Sequence, residues 1–124
     1  MIVGLGIDVA EVERIRGSLA RFGARFVARV LTPAEAEAMP QAGAERYVAA
    51  RFAAKEACAK ALGTGFAQGV TLHNIEVETL PSGAPRLALG GRARELALVL
   101  GARTAHLSLD RKSTRLNSSN RIRD

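Results

Sequence analysis

The sequence predicts a single α+β domain in which helices pack on a small antiparallel sheet. Three observations carry that expectation. The chain has 124 residues, about one domain and enough for a single core. Short β-branched apolar runs interleave with stretches whose apolar residues recur at helical spacing, without the strict strand–helix–strand rhythm of a parallel sheet. Aromatic residues make up only 4% of the chain and Trp is absent. The core therefore rests on Val, Leu, Ile and many Ala, and alanine favours closely packed helices.

The elements follow in order. IVGLGIDV, residues 2–9, reads as a buried strand. From Ala10 to about Phe26 the period changes, and Val12, Ile15, Leu19, Phe22 and Phe26 fall on one helical face. Gly17 and Gly23 weaken that helix and make Gly23 a candidate break. TPAEAEAM, residues 32–39, opens with Thr32 as N-cap, Pro33 in the first turn and Glu35 completing a capping box. Residues 43–62 form a long helix with an apolar stripe of Val48, Phe52, Ala59 and Leu62, closed by Gly63. HNIEVETL, residues 73–80, alternates as a half-buried strand does, PSGAP (81–85) turns, and 86–89 returns as the second arm of a hairpin. Residues 91–100 read as a helix ending at Gly101, and TAHLSL, 104–109, as a last strand. The composition then changes. Residues 110–124 are expected to be a polar basic tail, disordered or foreign to the domain, which itself spans 1–109.

Composition narrows the function classes. Hydrophobic residues at 48% and charged residues at 24% are ordinary for a globular chain. No run approaches the roughly 18 apolar residues of a membrane span. The N-terminus lacks a basic start and small-residue cleavage site, and the single cysteine, Cys58, suits a reducing compartment. A cytoplasmic protein without a membrane partner is expected. The net charge is +6, but residues 111–124 carry five cations against one carboxylate, leaving thirteen against eleven in 1–110. A basic RNA-binding module would thus lean on the tail, and few aromatics are left for base stacking. No nucleic-acid partner is expected.

Two carboxylates invite chemistry. Asp8 lies in an apolar strand, where a carboxylate is costly unless it is paired or holds a cation; it could equally cap the next helix. Glu56 lies about 40° round the long helix from Phe52, with Lys60 a further 40° on. Glu56 and Lys60 could be a stabilising surface pair, or Glu56 could join Asp8 around Mg²⁺, with Lys60 and Arg51 neutralising phosphates. Arg14, Arg21 and Arg25 would share a face opposite the apolar stripe if their helix is continuous, either as a solvated surface or as a steering patch for an acidic protein. Cys58 reads as a small buried hydrophobe and His73 as a surface residue.

GLGIDVAEVERI (4–15), LTPAE (31–35), RFAAKEACAKALGTG (51–65), HNIEV (73–77), SGAPRL (82–87) and HLSL (106–109) together resemble bacterial holo-acyl-carrier-protein synthases. These are the small type of 4′-phosphopantetheinyl transferase, and the resemblance covers about residues 1–109. It implies a 4′-phosphopantetheinyl transferase-like fold and Mg²⁺-dependent transfer of the 4′-phosphopantetheine of coenzyme A to the serine of apo-acyl carrier protein, releasing adenosine 3′,5′-bisphosphate. It implies Asp8 and Glu56 as metal ligands and catalytic carboxylates; either Glu56 or a metal-bound water would take the serine proton. Arg51 and Lys60 would meet the coenzyme's phosphates, and Gly63 and Gly65 would form the turn along which it lies. Gly83 and Pro85 would touch the adenine from a neighbouring subunit of a homotrimer. Arg14, Arg21 and Arg25 would recognise the carrier protein, and His106 matches a family histidine. The sequence departs from the family after Leu109. Asp110 and Arg111 stand where Ser or Thr and a second histidine are expected, and an apolar closing strand is not evident. A carrier-binding homologue without activity is the alternative.

Overall fold

The computed structural model describes the backbone of residues 2–102, 104–110 and 115–123, and side chains within 12–102. Strand β1 (Ile2–Glu11) leads directly into helix α1 (Val12–Phe22), followed by α2 (Ala24–Val30), α3 (Pro33–Glu37) and the long α4 (Ala44–Ala61). A 3₁₀ turn (Leu72–Asn74) introduces β2 (Ile75–Thr79), which pairs with β3 (Pro85–Leu89). Helix α5 (Gly91–Val99) precedes β4 (Thr104–Asp110) and β5 (Arg115–Arg123). The sheets are antiparallel: a three-stranded one in the order β1-β5-β4 and the β2-β3 hairpin. The expected α+β architecture is present.

The boundaries follow from local chemistry. The break between α1 and α2 falls at Gly23, whose φ of 53° is one that residues with a Cβ rarely adopt. Thr32 and Glu35 form the expected capping box: the Thr32 hydroxyl accepts from the Glu35 backbone N–H, and the Glu35 carboxylate accepts from Thr32 N at 2.8 Å. Helix α4 ends as expected at Gly63, φ 85°. There Gly63 N–H donates to Lys60 O at 2.9 Å and Thr64 N–H to Ala59 O at 3.3 Å. That paired 5→2 and 6→1 closure satisfies carbonyls the helix leaves open.

Helix α4 is the spine of the core. Val48, Ala49, Ala50 and Ala53 pack with Val12 and Ile15 of α1 and with Val30 and Leu31. Further along, Cys58, Ala59, Ala61 and Leu62 pack with Val70, with Ile75 of β2 and with Ala93 and Ala97 of α5. The expected stripe on α1 holds for Val12 and Ile15 and partly for Leu19 and Phe26, whereas Phe22 is exposed. Phe22 is the last residue of α1, and the turn at Gly23 carries it off the core; the Arg21 guanidinium lies 5.2 Å from its ring centre.

The tail departs from one of its two expectations, disorder. Residues 115–123, read from sequence as disordered or foreign, form β5 in the centre of the sheet, with Ser118 opposite both Asp8 of β1 and Leu109 of β4. The physical reason is that a central strand is held by backbone N–H and C=O groups on both sides. A composition of Arg, Asn and Ser does not report those groups. Residues 111–114, including the Arg111 that replaces the expected histidine, lie outside the described residues.

Candidate active site

The decisive geometry is the burial of α4. Between Val48 and Ala61 every residue is buried except Phe52, Glu56 and Lys60. Those three are spaced by four and so form one narrow strip along the helix. The alanines around them allow neighbouring elements to close over all other faces. Glu56 and Lys60 thus occupy the one open line of an otherwise enclosed helix segment, with a carboxylate and a cation one turn apart. Among large closed surfaces this is where a ligand can meet charge.

At the Lys60 end the helix exits through Gly63 and Gly65, φ 85° and 57°. A Cβ added at either would meet nothing within 4 Å, so the backbone here lies open. Thr64 Oγ1 donates to Gly65 O at 2.7 Å and stiffens the turn. At the Phe52 end lies a cleft of about 670 Å³ walled by Phe52, Phe66, Val70 and Leu72, with Arg29, Thr71 and His73 at its polar side. His73 is exposed, as expected, and its Nε2 lies 2.7 Å from Ala28 O, tying the 3₁₀ turn to α2.

Asp8 is placed by its backbone only. It sits in β1, opposite Ser118, and α4 packs across β1 and β5. The donor set that Asp8 and Glu56 offer is two hard carboxylate oxygen groups from elements in contact. Among the described residues no three His, Cys, Asp or Glu gather to hold a metal. Two carboxylates without nitrogen or sulfur donors fit Mg²⁺, which keeps several waters and shares substrate phosphates, better than a transition metal.

Arg51 is placed differently from expectation. It is buried at 6% exposure, its guanidinium carbon 3.7 Å from the centre of the Tyr47 ring and Nη2 within 3.5 Å of Thr79 Oγ1. It lies off the open strip, because position 51 is about 140° round the helix from Glu56. The basic face is also altered. Arg14, Arg21 and Arg25 are all exposed, but the break at Gly23 puts Arg25 on α2, so the three sit on consecutive helices rather than one. Arg16 is engaged separately, with Glu13 at 2.6 Å and Glu45 at 3.4 Å. Gly83, φ 88°, is exposed in the hairpin turn and Pro85 is half-buried at the start of β3. His106 lies in β4 opposite Arg121; its side chain falls outside the described residues.

One feature escaped the sequence reading. Lys55 is fully buried, with Nζ 2.5 Å from Glu35 Oε1 and 2.6 Å from Val30 O. Burial pushes the lysine's pKa below its ordinary value, and the Glu35 carboxylate pulls it back up. A signal for this was present: Lys55 is seven residues from both Val48 and Leu62, which puts it in the middle of the apolar stripe. Cys58 is buried as expected, and its thiol is pushed up to about 12 by desolvation.

Residues 4–112 match the profile of the 4′-phosphopantetheinyl transferase superfamily. The chain belongs to that family. A curated holo-acyl-carrier-protein synthase of Maridesulfovibrio salexigens is 53% identical over 109 residues, 88% of each chain. The solved holo-acyl-carrier-protein synthase of Neisseria meningitidis superposes with a TM-score of 0.91 at 34% identity, covering all of both chains. The Bacillus anthracis enzyme, solved in complex with coenzyme A (3′,5′-ADP), gives 0.79 at 33% identity, covering 98% of this chain and 96% of that one. Within the superfamily, then, the transferase is of the holo-acyl-carrier-protein synthase type. Its open strip lies in the segment RFAAKEACAKALGTG that carried the resemblance.

Proposed function

We propose that the chain transfers the 4′-phosphopantetheine group of coenzyme A to the serine of apo-acyl carrier protein, with Mg²⁺ as cofactor. The observation that carries this is the Phe52–Glu56–Lys60 strip, the only open line on the buried part of α4 among the described residues. Asp8 and Glu56 would hold the cation, which when bound would neutralise charge on the diphosphate. Lys60 stands one turn beyond Glu56, where its ammonium can meet a phosphate oxygen as a point charge. Gly63 and Gly65 leave the backbone open for the coenzyme to lie close. The Glu56 carboxylate is the residue of this chain able to accept the serine proton at that strip. Arg14, Arg21 and Arg25, all exposed, supply the positive surface an acidic carrier protein would meet first.

The same reading puts Gly83 and Pro85 of one protomer at the coenzyme of the next in a homotrimer, and places the protein in the cytoplasm, where it would serve fatty-acid and other lipid synthesis. No helix is long and apolar enough to cross a membrane among the described residues. The test is incubation with apo-acyl carrier protein, coenzyme A and Mg²⁺, read by mass spectrometry of the carrier. A phosphopantetheine adduct is expected, lost in Asp8→Ala and in Glu56→Ala. Carrier binding without an adduct would assign the chain to non-catalytic homologues, and an undiminished adduct in both variants would remove the metal assignment.

A further inference from the structure

Seven of the fourteen residues from Val48 to Ala61 are alanines, and all seven are buried. A helix walled by near-identical methyl groups has little shape to distinguish one rotation from another. Turning it by one residue, about 100°, exchanges alanine for alanine on several faces. Yet the open strip, and with it Glu56, is useful only if the rotation is fixed. Lys55 is the largest fully buried side chain in the molecule's described core. Its ammonium reaches two fixed acceptors at once, Glu35 Oε1 at 2.5 Å and Val30 O at 2.6 Å.

Those acceptors are themselves immobilised. Glu35 Oε1 also accepts from Thr32 N at 2.8 Å and Oε2 from Val77 N at 2.8 Å. The carboxylate is thus locked to the start of α3 and to β2, while Val30 ends α2. Tyr47, two turns earlier on α4, donates its hydroxyl to Glu35 O at 2.7 Å. A rotation or axial slip of α4 would break the lysine's two bonds together. A single buried polar residue can fix register in this way.

We propose that Lys55 is a positioning residue for Glu56. Acting through Glu35 and Val30 O, it sets the rotation of α4 and so holds the neighbouring carboxylate on the open strip. This rests on the reading of Glu56 as a metal ligand given above.

The test is Mn²⁺ binding, followed by electron paramagnetic resonance with coenzyme A present, in wild type, Glu56→Gln, Lys55→Met and Lys55→Met/Glu35→Gln. Each is measured at a temperature where circular dichroism shows it fully folded. The double variant removes both buried charges together, so it carries the test if Lys55→Met alone does not fold. Wild type is expected to bind Mn²⁺ saturably, Glu56→Gln to lose that binding, and the double variant to bind at least tenfold more weakly, the range for losing support around a metal ligand. Wild-type affinity in the folded double variant overturns the positioning role while leaving the metal assignment intact. Wild-type binding that is indifferent to Glu56→Gln overturns both.

Discussion

Lys55→Met should destabilise the fold strongly although it changes little volume. Met nearly matches the lysine stem in volume, so no large cavity opens, and the loss is electrostatic. The variant leaves the Glu35 carboxylate, 1% exposed at its side chain, without its cation, and Val30 O without its donor. Breaking a buried pair from one side costs roughly 3–5 kcal/mol, and the orphaned carbonyl adds about 1 kcal/mol. Against a domain stability of about 5–15 kcal/mol, that is about a quarter of the total or more. It corresponds to a fall in melting temperature of roughly 15–25 °C for a chain of this size. Urea unfolding followed by circular dichroism measures it directly, with Lys55→Met/Glu35→Gln as the control. The double variant should regain part of the loss, because neither charge is then stranded, while its glutamine offers one acceptor oxygen to the two backbone donors, Thr32 N and Val77 N, that the carboxylate served. A single-variant loss below about 1 kcal/mol, or a double variant no better than the single one, would refute the view that these two charges are mutually dependent.

Other outcomes follow from the same geometry. The Cys58 thiol, pushed up to about 12 by burial, stays protonated and enclosed at pH 8. It should react with a disulfide reagent only after unfolding; labelling at the rate of a free thiol in native buffer would contradict its placement. Gly63→Ala should cost about 1 kcal/mol from the left-handed φ alone, since the added Cβ meets nothing within 4 Å, and thermal unfolding reads this. Arg21→Glu should slow association with an acidic carrier protein, the effect shrinking as salt rises. Stopped-flow measurement at two ionic strengths checks it, and equal rates at low salt would take Arg21 out of the docking surface.

What was legible in the sequence was what neighbours in sequence decide. The Thr32–Glu35 cap, the break at Gly23 and the closure of α4 at Gly63 are settled within a few residues of backbone, and each stands where its residues predict. The family segments around Asp8 and Glu56 were legible as a combination, though no spacing rule required those carboxylates to meet. Lys55 was half legible. Its place on the apolar stripe marked a buried cation, but its partner was already accounted for as a capping residue twenty positions away. Arg51 misled because an arginine beside a candidate site invites a phosphate; its contact with Tyr47 four residues earlier is local to the helix, whereas its burial depends on how α4 is turned against the core. Strand β5 was illegible for a deeper reason: backbone ladders to β1 and β4 carry it, and the polarity of its side chains says nothing of them.

The position of β5 between β1 and β4 also has a bearing on how the molecule comes into being. Asp8 waits for Ser118, so the first strand made by the ribosome finds its neighbour only after some hundred further residues have been synthesised. Closing so long a span before the ladder forms is slow, and meanwhile the edges of β1 and β4 stay open to other chains. Helices α1 to α5 can gather around their alanine spine early, while the sheet is completed last. Nascent copies should therefore depend on chaperones, and they should aggregate first through their unfinished sheet.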